Sequence, residues 1–167
     1  MKTIRFDLGS VSSMEAAIKE LEEYQDELMD KIQQFLDALV AEGIQVASAK
    51  LGSTQGDWED AYVDGIYVTD KKAIIILGGT DCLFVEFGAG IAYNTGMQHP
   101  KAAEFGYGPG TYPGQTHVPI PGWWVYGKNE DKTPKISIGT EASMPLFTGA
   151  EHMRSIVGAK AREIFRS

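Results

Sequence analysis

Three histidines, one cysteine and a wealth of carboxylates are the side chains here that could do acid–base, nucleophilic or metal chemistry. A hydrolytic triad needs a nucleophile on a rigid turn, a histidine beside it and an acid orienting that histidine. No Gly-x-Ser-x-Gly elbow occurs, and nothing near Cys82 marks it as a nucleophile. Cys82 precedes the apolar run Leu83-Phe84-Val85, so it reads as a small buried hydrophobe with an inert thiol. His99 and His117 fall in a glycine- and proline-rich stretch, poor support for groups needing sub-ångström placement. Both are expected to face solvent or a partner. An enzyme would need His99, His117 and an acid to converge in one pocket.

Metal ligands recur at helix or hairpin spacing, and neither His99 with Glu104 nor Glu151 with His152 forms such a set. A single cysteine excludes an internal disulfide and any multi-cysteine metal site. Gly106-Tyr107-Gly108-Pro109-Gly110 lacks the Lys-Ser/Thr that ends a phosphate loop, and Pro109 removes an N–H that would bind phosphate. The acids at Glu22-Glu23, Asp26-Glu27 and Asp57 to Asp60 lie on polar faces or in a turn-rich segment. Glu86 stands apart because it interrupts the run Leu83–Phe87, where a buried charge needs a partner. A solvent-facing place on a strand explains it most simply; a contact with another subunit or with the long loop is the sharper alternative. No catalytic residue, cofactor or metal is expected.

The elements that would carry these residues follow from periodicity. Ile4–Leu8 alternates like a half-buried strand. Ser12 and Glu15 form a capping-box pattern at the head of a helix. Ile18, Leu21, Leu28, Ile32, Phe35 and Leu39, with Tyr24 close by, make its apolar stripe, which extends through Ile44, Ala47 and Leu51. So long a helix predicts a break near Glu23–Gln25, and Gly43 predicts close packing or a bend. Tyr62–Asp70 and Lys72–Gly78 read as a β-hairpin, and Leu83–Phe87 as a strand or one helical turn. Trp123–Gly127 reads as a strand returning to the sheet, with Lys135–Ile138 paired to it. A final helix runs from Pro145 or Thr148 to Phe165, its buried stripe formed by Leu146, Ala150, Met153, Val157, Ala161 and Ile164. The expected fold is one α+β domain over residues 1–167. Its mostly antiparallel sheet has about four to five strands, packed by the long N-terminal helical segment and the C-terminal helix.

Residues 89–122 form a long insertion within that domain. From Gly88 to Gly122 the chain holds eight of its 19 glycines and five of its seven prolines, with Lys101 and Glu104 as its only charges. It also carries Tyr93, Phe105, Tyr107 and Tyr112, and such aromatic content argues against simple disorder. A long loop of this kind is functional when it is not disordered, and ordering by a partner is the expectation.

Charge disfavours some partners. Ser12 to Glu42 carries nine acidic residues against two lysines, a surface that repels nucleic acid and anionic lipid. No window approaches a membrane span, and the first residues lack a signal peptide's apolar stretch, so the chain is expected to fold in the cytoplasm.

Leu83-Phe84-Val85-Glu86-Phe87-Gly88-Ala89-Gly90 resembles the Phe/Tyr-Val-Glu-Phe-Gly-Thr/Ser segment of a family of siphophage and prophage minor tail components, the tail-completion or tail-to-head joining proteins. In that family the segment also follows a long amphipathic helix and a β-hairpin. Met144-Pro145-Leu146-Phe147 resembles the family's approach to a final helix. The similar order runs from about Met14 to Phe165, whereas Ala89 replaces Thr or Ser and the insertion is longer than usual. The resemblance implies a non-enzymatic virion protein that forms a ring, hexameric in the family, between tail tube and connector or stopper. Its location would be the host cytoplasm during assembly and the neck or tail of the virion afterwards. Phe84, Glu86, Phe87, Tyr93, Phe105, Tyr107, Tyr112, Trp123 and Trp124 are the expected partner-facing residues. The runner-up is a binding module that uses an aromatic loop surface.

Overall fold

A computed structural model describes residues 3–54, 58, 60–88, 99–106 and 141–166, and the backbone of two strands at 123–126 and 134–137. The first helix, α1, spans Val11–Gly52 without interruption, 42 residues or about 63 Å. The break expected near Glu23–Gln25 does not occur. No glycine or proline lies between Val11 and Glu42, and an i,i+4 pair, Lys19–Glu23, leads directly into that region. Length alone is no helix breaker. The cap is Ser10 rather than Ser12, because the Ser10 hydroxyl accepts from the Ser13 N–H. Ile4–Leu8 is not a strand. Nothing pairs with it among the described residues; the Asp7 N–H donates to the Ser13 hydroxyl and the Gly9 N–H to the Asp7 carboxylate.

Strands β1 (Tyr62–Thr69) and β2 (Lys72–Gly78) form the expected hairpin, in register from Tyr62 opposite Gly78 to Tyr67 opposite Ala73, with a shift before Thr69 pairs with Lys72. Gly65 lets the hairpin approach α1 closely, since a methyl there would lie 2.6 Å from Val40 and 3.1 Å from Ile44. Tyr67 donates its phenol to Asp37 of α1 at 2.6 Å. Cys82–Phe87 is a short helix, α2, and Ala103–Phe105 a single 3-10 turn. Strands β3 (Trp123–Tyr126) and β4 (Pro134–Ser137) pair only with each other. The expected sheet of four to five strands is therefore corrected: the described strands form two separate two-stranded antiparallel sheets. Ile4–Leu8 finds no partner, Leu83–Phe87 is helical, and Trp123–Tyr126 does not return to the first hairpin.

The last helix, α3 (Pro145–Arg166), begins with a proline whose missing N–H and fixed φ suit a first helical position. It runs antiparallel to α1, from Gly149 against Gly43 and Ala47 to Phe165 against Phe35. Gly43 is the close contact anticipated from sequence, as Met153 lies directly over it. The acidic α1 and basic α3 meet within one chain, where His152 and Lys160 both pair with Glu42. Past Phe35 the stripe of α1 continues but α3 has ended. Val40 and Ala47 are 8% and 0% exposed, whereas Ile18 and Leu21 are 56% and 54% exposed. Among the described residues, Ala17 alone is buried in the first half of α1. No helix among the described residues is long and apolar enough to cross a membrane.

Candidate functional site

Glu86 is the charged residue that the fold buries most deliberately. It sits on α2, which Gly88 terminates at φ 74 and ψ 171, a backbone region open essentially only to glycine. Glu86 and His99 are each 5% exposed. Glu86 Oε1 receives His99 Nε2 at 3.0 Å and the Phe147 N–H at 2.9 Å, and Oε2 receives the Leu146 N–H at 2.8 Å. The carboxylate thus caps the start of α3, where unpaired N–H groups and the helix dipole favour an anion. Next to this contact the Ser143 N–H donates to the Val85 carbonyl at 2.8 Å, and the Ser143 and Thr54 hydroxyls are hydrogen-bonded. Met144, between them, takes a left-handed φ of 57° that turns the chain into α3.

His99 belongs to the insertion and fastens it to this cap. Its Nδ1 accepts the Lys101 N–H at 3.0 Å, so the neutral ring carries its proton on Nε2 and donates it to Glu86. Neither nitrogen is left for a substrate or a metal. The ring lies tilted against Phe87 at 4.4 Å and meets Phe147 edge-on at 5.2 Å, while Phe87 reaches Phe105 at 5.5 Å. Two expectations are corrected here. Glu86 is not a solvent-facing strand residue, and His99 is not solvated. The alternative weighed for Glu86, a contact with the long loop, is the one the geometry gives.

Beside the cap lies an open cavity of about 590 Å³, lined by Ile75, Leu77, Cys82, Leu83, Phe105 and Phe147 together with Glu86 and His99. Cys82 is half-buried rather than sealed in the core. Both polar groups in the lining are already engaged, so the cavity suits an apolar side chain better than acid–base chemistry.

Of the expected partner-facing residues, Phe87 and Phe105 come together around His99, with Phe105 exposed and Phe84 half-buried nearby on α2. Glu86 belongs to the interior. Trp123 and Trp124 are adjacent on β3, and Tyr93, Tyr107, Tyr112 and His117 lie outside the described residues. No group of three or more His, Cys, Asp or Glu residues is placed to hold a metal among the described residues. The link from Glu86 to α3 spans 60 residues of sequence and has no periodic signature; its one trace is a carboxylate inside an apolar run. Compared with protein-family models, with curated proteins and with solved structures, the chain matches none.

Proposed function

We propose that this chain is a non-catalytic virion or prophage assembly protein that joins the tail tube to the connector or stopper at the head–tail junction. It works as one subunit of a ring, hexameric as in the family it resembles, and needs no cofactor. The observation that carries this reading is the contact between the two segments in which the resemblance lies. Val85 and Glu86 on one side, and Ser143, Leu146 and Phe147 on the other, are distant in sequence yet form one hydrogen-bonded unit. A motif glutamate that caps a helix, with its carboxylate fully engaged, is a scaffold residue rather than a catalyst. The exposed apolar stripe of α1 supplies surface for neighbours.

The cavity beside Glu86 favours one second reading, a binding module that receives an apolar ligand against Leu83 and Phe105. Light scattering with and without added tail-tube protein separates the two. Growth of the mass to a closed assembly supports the joining role. A mass that ignores tail-tube protein at every concentration removes it and leaves the binding module.

A further inference from the structure

The free half of α1 carries more order than a generic apolar stripe. Met14, Ile18, Leu21, Gln25, Leu28 and Ile32 alternate at spacings of four and three without a slip. This is the heptad seam of a two-stranded coiled coil, with Ile18, Gln25 and Ile32 in one core register and Met14, Leu21 and Leu28 in the other. Nine charged residues lie between Met14 and Ile32, and six of them (Lys19, Glu20, Glu23, Asp26, Glu27, Asp30) fall on positions turned away from the seam. Ile18, Leu21 and Leu28 are all exposed. A helix that packed only against its own domain would not need this seam to continue beyond Phe35.

The same stripe already has an occupant further along. From Ala47 to Phe35 it is covered by α3, antiparallel, and the cover stops where Phe165 meets Phe35. An occupant of the remaining seam has to begin there and run away from the domain. We propose that it is the same segment of a second copy, laid antiparallel as a two-stranded seam from Met14 to Ile32. Two features argue for the self-pair. In the antiparallel register Ile18 faces the second copy's Leu28, and Leu21 its Gln25, so the pattern complements itself about Glu23. That register also sets the second copy's Met14 beside Ile32, one turn short of Phe35. The incoming helix then continues α3 end to end, whereas a parallel pair would drive both copies of α3 into the same space.

The seam is short, about 28 Å, which places the contact among weak, exchangeable interfaces. Its unfavourable features are Gln25 facing Leu21 and an excess of acids, seven against two lysines between Met14 and Ile32 in each copy, and the second is diagnostic. Glu22 of each copy lies beside Glu22 of the other, and like charges at such a flank weaken the pair. The pairing goes beyond the joining role and needs no phage partner, so the two can fail separately.

Sedimentation equilibrium of the full chain alone tests it, with a concentration series on the wild type, Leu28→Lys and Glu22→Gln. The wild type is expected to pass from monomer to twice that mass at on the order of 10–100 µM. Leu28→Lys is expected to stay monomeric, with unchanged far-ultraviolet circular dichroism because Leu28 is exposed in the single chain. Glu22→Gln is expected to dimerise at a concentration about two- to threefold lower. A wild type that stays monomeric throughout, or a dimer that survives Leu28→Lys, overturns the proposal. A dimer indifferent to Glu22→Gln overturns the antiparallel seam. Adding tail-tube protein to Leu28→Lys then reads the joining role independently of the dimer.

Discussion

Glu86 and Leu21 mark opposite extremes of this molecule. The first is a charge buried with both carboxylate oxygens engaged; the second is a large apolar side chain left in water on a helix that extends past its cover. Around Glu86 the chain is complete in itself, because α2, the insertion and α3 satisfy one another's polar groups. Along the first half of α1 it is incomplete. A buried polar group without partners is costly, so the bonds around Glu86 hold the fold, whereas the exposed stripe is the surface that the proposed pairing would cover.

Substitutions that remove the contrast should separate cleanly by size. Glu86→Ala leaves the Leu146, Phe147 and His99 donors without their acceptor in a buried place, and is expected to lower unfolding stability by about 3–5 kcal/mol in urea titration. Gly149→Ala sets a methyl 2.9 Å from the Gly43 carbonyl oxygen and 3.1 Å from Ala47. It should force α1 and α3 apart and cost about 1–3 kcal/mol. Gly158→Ala, on the same helix with nothing within 4 Å, should instead gain up to about 1 kcal/mol. Leu21→Ala in the free half should change the dilute single chain by about 0.5 kcal/mol or less, since it removes no buried contact. If it costs as much as Gly149→Ala, the free half is not free.

The smallest effect concerns the contact between hairpin and helix. The hydrogen bond that Tyr67 donates to Asp37 is the main cause raising its phenol above the ordinary 10.0, with desolvation and the Asp37 charge adding to it. A raised phenol contributes its stabilisation below its ordinary pKa and loses it as pH climbs through the raised value. Alkaline ultraviolet titration should therefore lose one late-titrating phenol in Tyr67→Phe, and Asp37→Asn should move that phenol earlier.

Local and periodic information carried part of this fold. The stripe Ile18 to Leu39, the hairpin at Tyr62–Gly78, the final helix from Pro145 and the close approach at Gly43 were all legible, because each depends on neighbours within a few residues or on one missing side chain. The continuity of α1 was not, since its length prompted a break for which the chain supplies no breaker. Ile4–Leu8 alternates correctly yet lies unpaired, as alternation shows only that a strand would be amphipathic, not that a partner exists. Leu83–Phe87 was too short for periodicity to decide. The environment of Glu86 depends on His99 and on the start of α3, 13 and 60 residues away, and no local pattern reports such a meeting. His99 was misplaced for the same reason, since a glycine-rich setting hides an anchoring contact.

Hydrogen exchange along α1 tests the central claim most directly, that one continuous helix has a held half and a waiting half. In the dilute single chain, amides from Phe35 to Ala47 should be strongly protected. Those from Met14 to Asp30 should exchange much faster, because a helical stretch of about 20 residues in which Ala17 alone is buried is marginal in water. On concentration or on adding tail-tube protein, protection should spread into Met14–Ile32. Equal protection of both halves in the dilute chain, or a first half that stays fast in every assembly, would contradict the account.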